Sequence, residues 1–301
     1  MTTTFQINEI DSWPEAVRSY ILDRYGSITS VEVLSGLSRN IVRKVNTASK
    51  SVVLKKSVHP AEWLFYKHVA PQLDSLDIST PKVEFLFQSS THYWLILEHI
   101  PFPFPRTRWN SDADLLSLLY RLHHSPEISG HEMMFKPAWP DTMTHNAMSL
   151  LHSKQVSPSL AAQFFTKAQQ ESAKVLADSC WICGDPNPKN LGLRANGQLV
   201  LFDWERFGRG TPAVDIAITV LGLGNGASYR RAATTYLANR SIQMDSHEIA
   251  DLTHSICVAK AWVIVDLLSK VATNEVEYAP VMDKLLEYLP AWLEEGNKLL
   301  A

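Results

Sequence analysis

The stretch from Asn190 to Asp203 limits the fold of this 301-residue chain more than any other. Leu191-Gly192-Leu193 reads as a short strand. Asn196-Gly197 is a turn pair that tolerates positive φ at both central positions. Residues 198–202 form a mostly apolar return strand, as expected of a buried one. Such a hairpin folds the chain back, so Asn190 and Asp203 are expected close together. An amide oxygen and a carboxylate at one end of a hairpin suit a hard cation such as Mg²⁺, which prefers oxygen ligands and keeps several waters. Just upstream, in Gly184-Asp185-Pro186-Asn187-Pro188-Lys189, Asp185 is placed to meet a substrate hydroxyl.

Composition narrows the class. Hydrophobic residues make up 46% of the chain, enough for a substantial core and too many for disorder. Lys plus Arg number 28 against 31 Asp plus Glu, so neither nucleic acid nor an anionic membrane is expected as a partner. No apolar run reaches the ~18 residues of a membrane span. The start, Met1 to Gln6, has no signal-peptide pattern. Cys180, Cys183 and Cys257 do not make a disulfide framework, which predicts a cytoplasmic, reducing setting.

Taken in order, Ser12-Trp13-Pro14-Glu15 predicts a helix start with a capping box, and Gly26 predicts its end. Strands are expected at 30–34, 41–45, 51–56, 81–87 and 92–99. Ser35, Gly36 and Ser38 lie between the first two, in either a phosphate-approaching loop or a plain hairpin loop. Alternation places Val53 and Lys55 on one face of the third strand and Val52, Leu54 and Lys56 on the other. Glu62 is the only acidic residue between Lys55 and Asp74, and it opens a helix beginning near Pro60. Pro101, Pro103 and Pro105 alternate with Phe102 and Phe104 as a stiff extended connector. The connector divides the chain into 1–100 and 101–301.

Beyond it the pattern turns helical. A leucine-rich helix is expected over 111–124 and a long one over 157–179. Residues 133–145 read as a substrate lid or an irregular loop. His123, His124 and His131 lack the spacing of a zinc site. Cys180 and Cys183 read as a redox pair or as accidental spacing, and no thioredoxin-like pattern precedes them. Asp215 reads as the cap of an apolar helix, and Asp245 to Glu248 as a capping box. Gly222, Gly224 and Gly226 follow a helix rather than a strand, unlike a phosphate-binding loop. Trp262, Leu267, Leu268, Leu285, Leu286, Leu289 and Trp292 are candidate core.

Gly184-Asp185, Asn190 and Asp203-Trp204-Glu205 together resemble the aminoglycoside phosphotransferase and choline kinase family. Glu62 with Tyr66 and the pair Leu122-His123 also match that family's pattern, whereas Cys183 stands where it usually has His. The resemblance implies an α+β, bilobal protein-kinase-like fold. A small N-terminal antiparallel sheet lobe with one key helix would bind nucleotide, and a larger, mostly helical C-terminal lobe would bind substrate. It implies Asp185 as catalytic base, Asn190 and Asp203 as Mg²⁺ ligands, and Lys55, positioned by Glu62, on the α/β-phosphates; Lys56 is the alternative lysine. Ser35, Gly36 and Ser38 would form the nucleotide loop, and the backbone from Glu98 to Ile100 would hold the base. The Asp215 position supports the catalytic loop in the family.

The implied activity is transfer of the γ-phosphate of ATP, or GTP in its place, to a hydroxyl of a small aminoglycoside-, amino alcohol- or sugar-like molecule. The alternative is a non-catalytic, nucleotide-binding pseudokinase acting as an interaction module. A protein acceptor fits less well: Asn187 replaces the basic residue of protein kinases, and no Ala-Pro-Glu lies between Asp203 and Asp215. Glu248, Asp251, Glu294 and Glu295 could receive a cationic acceptor or could be solvated helix residues. Trp139 and Trp204 could stack on an acceptor or fill the core. Oligomeric state is not legible in the sequence.

Overall fold

The alternation in the third strand organises the N-terminal sheet. In the computed structural model, which describes residues 7–34, 41–125, 128–130, 132–241, 245–273 and 275–301, strands β1 (Ile28–Val33), β2 (Ile41–Thr47), β3 (Ser51–Ser57), β4 (Val83–Gln88) and β5 (Tyr93–Glu98) pair antiparallel in the order β1-β2-β3-β5-β4. Val52 and Leu54 of β3 and Trp94 and Ile96 of β5 face helix α1 (Glu15–Tyr25) and pack on its Val17, Ile21 and Tyr25. Each such buried side chain contributes about 1.5–3 kcal/mol by leaving water. Lys56 lies on this face, its Nζ 5.1 Å from the Trp94 ring centre, whereas Lys55 pairs with Leu95 on the other.

Two local expectations are corrected. The Ser12 hydroxyl donates to the Glu9 carbonyl at 2.6 Å and makes no capping box; Pro14 holds the cap position of α1 without a side-chain bond. Gly26 does end α1, at φ +82° and with its N–H on the Leu22 carbonyl. In the hairpin of β8 (Leu191–Leu193) and β9 (Leu199–Leu201), only Gly197 has positive φ, at +82°. The turn closes through Gly197 N–H to the Arg194 carbonyl at 2.9 Å and Arg194 N–H to the Gln198 carbonyl at 3.0 Å. One left-handed glycine after an ordinary turn is the longer hairpin solution, not the two-residue one.

Backbone proximity divides the chain into two compact units. The first comprises Met1–Pro103, Ile128–Met134 and Leu191–Arg206, so the hairpin groups with the N-terminal sheet. There β8 pairs with β9 and with the short strand β6 (Phe102–Pro103). The helix on the Lys55 face starts at α2 (Ala61–Leu64), widens into a π-turn over Phe65–Val69, and continues as α3 (Ala70–Leu73).

The second unit comprises Phe104–Glu127, Phe135–Asn190 and Phe207–Ala301 and is mostly helical. It holds α4 (Ala113–His123), α5 (Asp141–Ser153), α6 (Pro158–Val175), α7 (Pro212–Thr219), α8 (Gly226–Leu237), α9 (Ser246–Thr273) and α10 (Glu275–Leu299). A two-stranded ladder joins β7 (Cys180–Ile182) to β10 (Gly208–Gly210). The segment read as a lid or loop becomes an irregular run that enters α5 at Asp141. The Asp245 carboxylate accepts the His247 N–H, while Glu248 turns to Arg240 at 2.6 Å instead of closing a box. Trp262, Leu268, Leu289 and Trp292 are buried; Leu267, Leu285 and Leu286 are half-buried. Among the described residues, no helix is long and apolar enough to cross a membrane.

Lys260 of α9 is only 3% exposed, and its Nζ donates to the carbonyls of Ala217 and Val220, at 2.9 and 2.7 Å, where α7 ends. A cation favours a helix C-terminus, but burial pulls this amine down to about 7 from 10.5. Between those values the unfolded chain binds more protons than the folded one, so folding stability should rise as pH climbs from 7 towards 10. The slope should approach ~1.4 kcal/mol per pH unit, one proton's worth. Urea unfolding at pH 7.5 and 9 should show this gain in the native chain and not in Lys260→Met.

Candidate active site

Within the first unit, β3 aims Lys55 at the helix that follows Pro60. Lys55 is 8% exposed and Glu62 3%. Lys55 Nζ lies 2.6 Å from Glu62 Oε2 and 3.1 Å from Asp203 Oδ1. Burial opposes the charge on Lys55, but the carboxylates of Glu62 and Asp203 outweigh it and hold the ammonium above its ordinary value. Burial pushes the Glu62 carboxyl up, with Lys55 pulling the other way.

Asp203 is placed by its neighbours. Its φ is +66°, a left-handed conformation that costs a non-glycine residue energy and persists only where the surroundings enforce it. They do so through Trp204, which is fully buried, stacks on Phe65 at 4.5 Å between ring centres, and donates its indole N–H to the Leu201 carbonyl at 2.8 Å. Phe65 follows Glu62 by one helical turn, so one helix positions both carboxylates around Lys55. Trp204 is therefore core, as is Trp139, whose indole N–H meets Thr144 Oγ1 at 2.8 Å. Glu98 and Ile100 belong to this unit, where Glu98 ends β5. Ser35, Gly36 and Ser38 lie outside the described residues.

In the second unit the loop after β7 carries Asp185. Gly184 has φ +80°, a conformation that favours glycine, and Pro186 and Pro188 each fix their own φ. Asn190 Nδ2 donates to the Asp185 carbonyl at 3.1 Å and to Asp185 Oδ2 at 3.3 Å. That use of the amide nitrogen leaves Asn190 Oδ1 as the side chain's acceptor atom. In the first unit Leu191 pairs with Leu201, in a hairpin that Asn190 precedes and Asp203 follows in the chain. Oxygen donors of this kind fit Mg²⁺. Among the described residues, no group of three or more His, Cys, Asp or Glu side chains offers a self-sufficient metal cage.

Asp215 is corrected from a helix cap. Its helix α7 starts earlier, at Pro212, with Thr211 at the cap position. Asp215 is fully buried, and its carboxylate accepts the backbone N–H groups of Cys183 and Gly184, both at 2.8 Å. His123 Nε2 lies 3.1 Å from the same carboxylate, and its Nδ1 2.9 Å from the Tyr236 hydroxyl. A carboxylate that holds two consecutive amides fixes the backbone leading into Asp185. No local pattern points to His123 as part of this anchor; the pair Leu122-His123 is its one signal in the sequence.

The other candidates fall away. Cys183 is fully buried, and Cys180 donates to the Gly210 carbonyl while burial pushes its thiol up to about 12, so neither is a reactive thiolate. Of the acidic residues considered for a cation, Glu248 pairs with Arg240 and Glu295 accepts the Gly226 N–H at 2.7 Å, whereas Asp251 and Glu294 are exposed.

The sheet with its buried lysine and carboxylates, joined to a helical part with an anchored aspartate loop, is the architecture of kinase-like phosphotransferases. Residues 30–245 match the model of the phosphotransferase enzyme family APH, and the chain belongs to that family. Its fold is similar to that of spectinomycin phosphotransferase APH(9)-Ia, solved with ADP and spectinomycin (TM-score 0.65, 13% identity, 95% of this chain and 98% of that one). It is also similar to a thermostable mutant of aminoglycoside phosphotransferase APH(4)-Ia, solved with ADP and hygromycin B (0.60, 13%, 94% and 98%). LicA, solved with AMP, is a third such structure (0.56, 15%, 95% and 98%). No curated protein sequence matches the chain.

Proposed function

We propose that this chain transfers the γ-phosphate of ATP to a hydroxyl of a small molecule of the aminoglycoside, amino alcohol or sugar kind. The observation that carries the reading is the buried Lys55–Glu62 pair with Asp203 beside it, in a chain of the APH family. Buried charges of this kind are expensive unless paired, and Lys55 gains a further task if it also meets phosphate oxygens. The ADP bound by the spectinomycin and hygromycin B enzymes supports an adenine nucleotide, and their aminoglycosides support a hydroxyl-bearing small acceptor.

On this reading Lys55 neutralises charge on the α- and β-phosphates while Glu62 keeps it in place. The backbone of Glu98 to Ile100 receives the adenine, and Ser35, Gly36 and Ser38 form the loop over the phosphates. Asp185 orients the acceptor hydroxyl. The hydroxyl oxygen bonds to the γ-phosphorus, the bond from γ-phosphorus to the bridging oxygen breaks to release ADP, and the hydroxyl proton passes to the Asp185 carboxylate. Asn190 and Asp203 would hold Mg²⁺, which supplies neutralisation of phosphate charge when bound. Positioning and electrostatics supply most of the rate in such transfers. The three free cysteines support a reducing, cytoplasmic setting.

The test is a coupled ADP-release assay with Mg-ATP across aminoglycosides, amino alcohols, homoserine, thiamine and amino sugars, with Asp185→Asn as control. Acceptor-dependent release that disappears in the variant is the expected result and names the substrate class. Release that survives it removes Asp185 from the role of base. Mg²⁺-dependent ATP binding with no turnover on any acceptor would replace the enzyme reading with a nucleotide-binding interaction module.

A further inference from the structure

Arg194 stands in the hairpin turn, which its backbone closes. Its guanidinium bonds to Glu98, Thr80 and Gln198. Nε donates to Glu98 Oε1 at 2.9 Å and Nη2 to Glu98 Oε2 at 2.7 Å, a two-pronged grip on one carboxylate. Nη2 also meets the Thr80 carbonyl at 2.9 Å, and Nη1 meets Gln198 Oε1 at 2.8 Å. Gln198 extends the network to Ser79 Oγ at 2.6 Å, and the Lys82 N–H donates to Glu98 Oε2 at 3.0 Å. All of these residues lie in the first unit.

Glu98 ends β5 three residues before the connector, while Arg194 follows β8 in the hairpin whose other strand leads through Phe202 to Asp203. The backbone between connector and hairpin is a short ladder, Phe102 with Leu193 and Pro103 with Gly192. Pro103 has no N–H to give that ladder. Gly192 is also closely overlaid: a Cβ there would lie 2.7 Å from Ile100 Cγ2, so the strands approach without a side chain between them. Where the ladder is weak, the bidentate pair supplies a stiff joint, and planar fork-to-carboxylate contacts are the strong kind of ion pair. Burial alone would raise the Glu98 carboxyl; the hydrogen bonds and charge of Arg194, with the Lys82 N–H and ammonium, overcome it and hold it below its ordinary value.

We propose that Arg194 is a positioning residue that locks the Glu98–Ile100 segment to the hairpin carrying Asp203, so that adenine and phosphates are held at one fixed spacing. The inference rests on the nucleotide reading above. It predicts that Arg194 matters for a ligand that bridges both places and not for one that occupies the Glu98–Ile100 segment alone.

Calorimetric titration separates the two. Adenosine and the Mg²⁺ complex of a non-hydrolysable ATP analogue would each be titrated into the native chain, Arg194→Met, Arg194→Lys and the reversed pair Arg194→Glu with Glu98→Arg. Arg194→Met should bind adenosine within about twofold of native and the Mg²⁺–analogue complex about tenfold more weakly, the size of an ordinary coupling between sites. Arg194→Lys, which keeps the charge without the fork, should fall between, and the reversed pair should recover most of the analogue affinity. An unchanged analogue affinity in folded Arg194→Met or Arg194→Lys overturns the proposal, as does an equal loss for both ligands. A native chain that binds neither ligand overturns the nucleotide reading itself, a different failure.

Discussion

Asparagine in place of Asp185 is expected to lower kcat about 10³-fold, within the range for loss of a positioned proton acceptor, while nucleotide affinity stays within about twofold. The substitution keeps the shape of the side chain. It also keeps an oxygen able to accept from Asn190 Nδ2, which lies 3.3 Å from Asp185 Oδ2. The loop itself is held elsewhere, by the Asp215 carboxylate on the Cys183 and Gly184 amides and by Gly184 at positive φ. Stability should therefore change little, and the loss should fall on the chemical step. Steady-state kinetics with the best acceptor, a titration with nucleotide and a thermal melt together check it. A fall in kcat of less than about tenfold would assign the proton to another group.

Methionine in place of Lys55 should remove activity and cost only part of the stability that breaking a buried pair usually costs. Loss of one preorganised charge or donor at a reacting phosphate costs on the order of 10²–10³ in rate. The stability effect has a separate cause. Glu62 is 3% exposed and lies 2.6 Å from the ammonium, so removing Lys55 leaves a carboxylate in a dry site. Breaking one side of a buried pair costs about 3–5 kcal/mol, less whatever protonation of the carboxyl relieves. Burial already pushes the Glu62 carboxyl up against the pull of Lys55, so without Lys55 it should take up a proton more readily and much of that cost should be relieved. The double variant Lys55→Met with Glu62→Gln should melt within a few degrees of the native chain yet remain inactive. Recovery of stability without activity would show that the pair exists for the phosphates rather than for the fold. Recovery of both would remove Lys55 from the mechanism.

How much of this was legible in the sequence differs from element to element. Lys55 could be separated from Lys56 because strand alternation has a period of two, and Lys56 does lie on the Trp94 face. Glu62 could be paired with Lys55 because no other acid intervenes before Asp74. The hairpin was legible as a hairpin, but its turn type was not. A turn's geometry depends on where the ladder stops, and here β8 and β9 end before the Asn196-Gly197 pair, so Gly197 alone takes the left-handed position. The helix containing Asp215 was legible; its start was not, because Pro212 at the first turn outweighs an aspartate three residues later as a start signal.

The sequence by itself determined what local physics can specify: the sheet with its alternating faces, the helix after Pro60, and the oxygen-bearing side chains at the two ends of a hairpin. These depend on neighbours within a few positions. The tertiary structure alone decided that His123 meets the Asp215 carboxylate, that Trp204 stacks on Phe65 to hold Asp203, that Lys260 closes α7, and that Arg194 grips Glu98. Each of these joins residues far apart in the chain. A buried polar group is satisfied by whichever partner the packing brings within hydrogen-bond reach, and that choice is made by the assembled fold rather than by any local pattern.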